Sequence, residues 1–118
     1  MSQTSAAQVV WDYHRAWTSG EVDRAMSLVA EDVVCRAPGR DFHGKDEYRA
    51  FIAGFAPRLR GIGDIADFAD GDRVALFYYP QTAASATTPA AELFTVRDGT
   101  ITQIVLIFDR LSYGPPGA

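Results

Sequence analysis

Cysteine is almost absent from this 118-residue chain: Cys35 stands alone, so no disulfide can close within it and no cysteine-pair zinc motif exists. Histidine is nearly as scarce. His14 and His43 lie far apart with no companion cluster, so no metal site is expected. Lysine and arginine total 11 against 15 acids, a net charge of −4. A nucleic-acid groove needs clustered cations, and so does docking on an anionic membrane, so neither partner is expected. No run approaches the ~20 apolar residues of a membrane span. The start, Met1-Ser2-Gln3-Thr4-Ser5, lacks the basic and apolar segments of a signal peptide, which makes a cytoplasmic address the expectation. A phosphate loop, Gly-x-Gly-x-x-Gly and Gly-x-Ser-x-Gly are all missing, so redox chemistry on a bound cofactor has no support and no cofactor is expected.

What remains is an ordinary globular balance, 47% hydrophobic and 22% charged. The length suits one domain over residues 1–118 with a single core, and the Gly/Pro-rich tail 114–118 is expected to be flexible.

The first half reads as helices. Val9, Val10, Tyr13, Ala16 and Trp17 recur at spacings of three and four, which predicts an amphipathic helix from about Ser5 to Ser19, stopped by Gly20. His14 falls off the main stripe and is expected to be partly exposed. A second helix is predicted over Glu21–Val29, a short strand at Val33–Cys35, a loop from Pro38-Gly39 to Gly44, and a third helix over Lys45–Phe55, ended by Pro57. The second half reads as strands: Ile62–Phe68 as an exposed edge, Val74–Tyr79, Ala91–Val96 and Ile101–Phe108, with Asp98-Gly99 as a hairpin turn. Helices first and antiparallel strands after indicate an α+β fold. Ile104 to Phe108 is apolar on both faces, whereas a one-sided sheet alternates. A homodimer through the outer sheet face would cover the second side; burial of this strand at the domain's centre is the alternative.

The element order resembles the nuclear transport factor 2-like superfamily. Trp17-Thr18-Ser19-Gly20-Glu21-Val22-Asp23 is similar to that family's first interhelix turn, and Leu28-Val29-Ala30-Glu31-Asp32-Val33 to its helix-to-strand junction. Phe42-His43-Gly44-Lys45-Asp46 is similar to its entry to the third helix, and Phe94-Thr95-Val96-Arg97-Asp98-Gly99-Thr100-Ile101 to its last hairpin. The resemblance implies a cone: three N-terminal helices on a curved, mostly antiparallel sheet that encloses a pocket. Within the superfamily, the nearest sub-pattern is that of the small bacterial ketosteroid isomerases and SnoaL-like polyketide cyclases. By that resemblance Tyr13 holds the place of an oxyanion-hole tyrosine and Glu92 that of an oxyanion-hole acid. The place of the catalytic aspartate, before Pro38, is held by Ala37, which cannot take a proton.

In an apolar pocket, burial raises a carboxyl pKa. A protonated Glu92 and the Tyr13 hydroxyl could together stabilise an enolate, while an ionised Glu92 could serve as the base; the sequence leaves both open. Asp41, in the loop after the first strand, is a further candidate base over the pocket mouth, with a surface pair to Arg40 as the alternative. The expected lining is Val10, Trp17 and Met26 from the first two helices, Cys35 and Ala37 from the first strand, Tyr48, Phe51 and Phe55 from the third helix, and Phe77, Tyr79, Phe94, Leu106 and Phe108 from the long strands. The expected partner is a hydrophobic carbonyl compound, polyketide- or steroid-like, handled by a cofactor-independent isomerase or cyclase. A non-catalytic ligand-binding or dimerisation module is the alternative, favoured by Ala37. Epoxide hydrolysis ranks below both, because a second strand-borne acid it needs is replaced by Leu106.

Overall fold

A computed structural model describes residues 5–113; the tail 114–118, expected to be flexible, lies outside them. Ser5 caps the first helix, α1 (Ala6–Thr18), by accepting a hydrogen bond from the Gln8 N–H at 3.2 Å. Its predicted stripe of Val9, Val10, Tyr13, Ala16 and Trp17 is buried throughout. Helix α2 (Val22–Met26) is shorter than expected, because Val29 already pairs in a strand. Helix α3 (Lys45–Phe55) has the predicted bounds, and Glu47 in its first turn accepts the His43 N–H at 3.0 Å.

Six strands follow or interleave: β1 (Val29–Ala37), β2 (Arg40–His43), β3 (Gly61–Asp70), β4 (Arg73–Gln81), β5 (Ala90–Arg97) and β6 (Thr100–Ile107). They form one sheet in the order β2-β1-β6-β5-β4-β3, antiparallel except for the parallel β1–β6 pair. The β5–β6 hairpin turns on Asp98 (φ 52) and Gly99 (φ 78), the two positive φ angles a tight primed turn requires. Two expectations need correction. The segment after Pro38-Gly39 is not a loop but β2, which folds back on β1 with Phe42 opposite Cys35. The first strand begins at Val29, not Val33, with a register shift between Val29 and Val34.

The helices cover one face of the sheet, and that inner face holds the core. Val74 and Leu76 of β4, Phe94 and Val96 of β5, and Ile101 and Ile104 of β6 are buried there against α1. The opposite face leaves Phe68, Phe77, Val105 and Ile107 exposed.

Candidate active site

The core does not fill the space between helices and sheet to its end. Beyond Leu76, Phe94 and Ile104, a cavity of about 600 Å³ opens. Strand pairing sets its tiers. Glu92 lies opposite Leu106 on one side and Leu76 on the other, and Tyr78 lies opposite Ala90. Pro80, Ala90 and Phe108 come further out, and Arg110 and Leu111 follow the end of β6. The helices supply Trp17 from the end of α1 and Phe51, Ile52 and Phe55 from α3; Arg58 comes from the turn after α3. A cavity of this size and apolar character fits a small organic ligand.

Trp17, Phe51, Phe55, Leu106 and Phe108 line this cavity, as the sequence suggests. Val10, Met26, Cys35, Tyr48 and Phe94 are buried in the packed core and do not border it. Ala37 shares the inner side of β1 with Cys35, packs against the core, and lies outside the lining. Phe77 and Tyr79 are on the other face of the sheet: β4 buries Val74, Leu76, Tyr78 and Pro80, and side chains alternate with a period of two. Tyr78 therefore takes the pocket position assigned to its neighbours. Asp41 also points away. It stands opposite Arg36 in the β1–β2 pair and forms an ion pair with it at 3.4 Å, on the face that Phe42 and Cys35 do not share. No base over the pocket mouth comes from Asp41, and its partner is Arg36 rather than Arg40.

Glu92 is the acid inside. It is 5% exposed and lines the cavity, and its Oε1 accepts a hydrogen bond from the Tyr78 hydroxyl. Burial raises its pKa from 4.5 to about 7, and the Tyr78 bond holds it from rising further. Tyr13 is fully buried, with its hydroxyl bonded to that of Tyr48 rather than turned to the cavity. Glu92 is near enough to act on Tyr13, Tyr48 and Cys35 electrostatically. Burial first, and then this carboxylate, hold the Tyr13 phenol well above its usual range and push the Cys35 thiol up to about 12; Tyr48 is raised by burial first, then by Tyr13 and then by Glu92. A thiol so held is protonated at neutral pH and is no nucleophile. The polar heart is thus a Glu92–Tyr78 pair facing the cavity and a Tyr13–Tyr48 pair behind it.

His14 corrects the expectation of partial exposure. It is 3% exposed, ringed by Trp11, Trp17 and Tyr78, with the Tyr78 ring centroid 4.8 Å away. Neither ring nitrogen has a hydrogen-bond partner among the described residues, nor has the Trp17 indole nitrogen. Burial, and secondarily Arg15, lower its pKa to about 4, so it is neutral. His43 is exposed at the end of β2. Asp109 caps the final turn, accepting from the Leu111 N–H at 3.1 Å and the Ser112 hydroxyl at 2.8 Å. Among the described residues no three His, Cys, Asp or Glu side chains cluster as metal ligands, and no helix is long and apolar enough to cross a membrane.

Comparison with known proteins gives the arrangement a lineage. The SnoaL-like domain family matches residues 10–104. A solved protein from Kribbella flavida is 40% identical, with a TM-score of 0.88 over 94% of this chain and 92% of that one. A Pseudomonas putida protein provisionally named a polyketide cyclase is 23% identical, with a TM-score of 0.77 over 94% and 96%. An NTF2-like protein of unknown function from Cytophaga hutchinsonii is 18% identical, with a TM-score of 0.75 over 92% and 93%. The last two likenesses speak for the fold alone. No protein of curated function matches the sequence.

Proposed function

We propose, for a chain that belongs to the SnoaL-like domain family, that the cavity is the active site of a cofactor-independent isomerase or cyclase in which Glu92 moves a proton on a hydrophobic carbonyl compound. One observation carries this reading: a carboxyl group 5% exposed, with a pKa of about 7, borders an apolar cavity of about 600 Å³. Near neutrality such a group is present in both forms, which is what a residue that takes and returns a proton needs. The ionised carboxylate removes a proton from the carbon next to the carbonyl, and the C–H electron pair passes to the carbonyl oxygen as an enolate. Protonated Glu92 no longer needs the Tyr78 hydrogen bond, so that hydroxyl can turn to the enolate oxygen. Glu92 then returns the proton to a different carbon, which shifts a double bond, or the enolate carbon attacks a second carbonyl, which closes a ring, and the new alkoxide takes the proton back from Glu92. Tyr13 and Tyr48 act from behind, as neutral hydroxyls that hold the inner wall of the site. Asp41 and Ala37 take no part.

Proton exchange tests this without the natural substrate. A hydrophobic ring ketone such as 2-tetralone is incubated in D2O, and loss of its α-proton NMR signals is followed. The expected result is exchange faster than in buffer, rising with pH through about 7 and falling by about 10²–10⁴ in Glu92→Gln. Tyr78→Phe is expected to lose less. Binding without exchange, or exchange indifferent to Glu92→Gln, would favour the second reading, a ligand-binding module. Ala37, at the place of the family's base, is the feature that favours that second reading.

We also propose that the outer sheet face pairs with a second copy of the chain. Ile107, Ala91, Phe77 and Ala66 form one row across β6, β5, β4 and β3, and Val105, Leu93, Ala75 and Phe68 form the next. Phe68 is 65% and Ile107 62% exposed in the single chain, a contiguous apolar surface that a partner would cover.

A further inference from the structure

Among the described residues the Glu92 carboxyl group has one hydrogen-bond partner, the Tyr78 hydroxyl, which donates to Oε1. The titratable groups packed around it are neutral. Tyr13 of α1, Tyr48 of α3 and Cys35 of β1 feel its charge and are held protonated. His14 of α1, packed on the Tyr78 ring, is uncharged near neutrality. The flanking strands bring Leu76 and Leu106 to its sides. The cations that border the cavity, Arg58 and Arg110, stand in the turns after α3 and β6. Neither enters the balance that sets the carboxyl group, which is burial against the Tyr78 bond.

This placement has a consequence for whatever fills the cavity. A carboxylate has room for about four hydrogen bonds and can only accept them. Tyr78 supplies one; any others come from water let into the cavity. A ligand that occupies the space beside Trp17, Phe51, Phe55 and Leu106 shuts that water out. A carbonyl oxygen has no hydrogen to give, so it cannot replace the lost bonds to a carboxylate. It can accept one from a carboxylic acid. Desolvation and hydrogen bonding then act in the same direction, toward the protonated acid.

We propose that a neutral carbonyl ligand and a proton from solvent enter this cavity together, the proton going to Glu92, whose O–H then donates to the ligand's carbonyl oxygen. The inference rests on the reading of this cavity as a ligand site and adds how its occupancy is regulated. Linkage fixes the sign. Glu92 of the empty protein changes state near pH 7. Below that it is already an acid, and affinity does not depend on pH. Above it each ligand must be joined by a proton, and affinity falls by up to about tenfold per pH unit. The same proton restrains turnover. In the occupied site the ionised base is the minor form. Exchange at saturating ketone therefore has its midpoint at higher pH than exchange at trace ketone, which reports the empty protein.

Calorimetry counts the proton. Binding of 2-tetralone is measured at pH 7 in buffers of low and high ionisation enthalpy, and the difference in heat gives the protons taken up per ligand. The expected result for the wild type is about half a proton, because Glu92 is then about half ionised. Glu92→Gln is expected to bind the ketone, which also shows that it folds, and to take up none. 2-Naphthol has the same two rings and a hydroxyl that can donate to a carboxylate, so it is expected to take up less than the ketone. No uptake with the ketone in the wild type would overturn the proposal, as would uptake that persists in Glu92→Gln or equal uptake for the two ligands. An affinity for the ketone that does not weaken from about pH 7 to about pH 9 would do the same. Absence of ketone binding would remove both this proposal and the reading it rests on. The proton count is independent of turnover. Uptake without α-proton exchange counts against the catalytic reading alone, and exchange without uptake counts against this proposal alone.

Discussion

Across β4, β5 and β6, the inner face of the sheet holds Leu76, Phe94 and Ile104 at 0–1% exposure and then opens into a cavity, while the outer face leaves Phe77 and Ile107 at 48% and 62%. Both faces are made of the same residue types. They differ in what lies against them: three helices on one side, and nothing among the described residues on the other. Apolar character alone therefore does not mark a site. The inner face is a candidate active site because it also buries a carboxyl group, at a cost in stability that packing alone does not call for.

The sharpest test of that contrast removes one aromatic from each face. Phe94→Ala empties the packed core beside Tyr13 and is expected to cost about 3–5 kcal/mol. Phe77→Ala on the exposed face is expected to cost under about 1 kcal/mol. Urea denaturation of both variants measures the difference, and similar losses would break the comparison.

Two buried groups that shift in opposite directions, Glu92 on β5 and His14 on α1, give the next largest effect. Glu92 has its pKa raised from 4.5 to about 7, so its cost is absent below pH 4.5, where folded and unfolded chains are both protonated, and complete above about 7. His14 has its pKa lowered from 6.5 to about 4; its cost is absent above pH 6.5 and grows as pH falls toward 4. Each shift corresponds to roughly 3 kcal/mol, and the two slopes oppose one another between pH 4.5 and 6.5. In that window Glu92→Gln is expected to become more stable as pH rises, and His14→Phe less stable. Thermal melts of the two variants across the window should diverge; parallel curves would show that one of the groups is not buried as described.

The smallest effect on the fold is expected on the outer face. Ile107→Lys should change stability by under about 0.5 kcal/mol, yet convert a dimer to a monomer in sedimentation velocity. A wild type that sediments as a monomer would end the dimer proposal and leave the inner face untouched.

The fold was largely legible because its signals were local. The α1 stripe, the bounds of α3 and the Asp98-Gly99 turn each lie within a few consecutive residues. β2 was not legible, since Phe42 is the only apolar residue in Arg40–His43 and no period can be read from one residue. In the site, Glu92 could be phased because Phe94 and Val96 share its face. Tyr78 could not. Val74–Tyr79 is apolar on both faces, so alternation carries no phase, and residues 82–89 separate it from β5, so no tight turn fixes its register against Glu92. The same gap put Phe77 and Tyr79 in the pocket, while Tyr13 was set beside Glu92 by the family resemblance rather than by register. Arg58 and Arg110 were missed because each sits in a short turn, where sequence pattern says nothing of what the side chain overlooks.

The account depends most on the state of one carboxyl group. A ¹³C NMR titration of the Glu92 side-chain carboxyl, assigned by its absence in Glu92→Gln, reads that state directly. The expected midpoint is near pH 7; a midpoint near the ordinary 4.5 would mean that water reaches the group, and the case for a proton-moving acid in a dry cavity would fail.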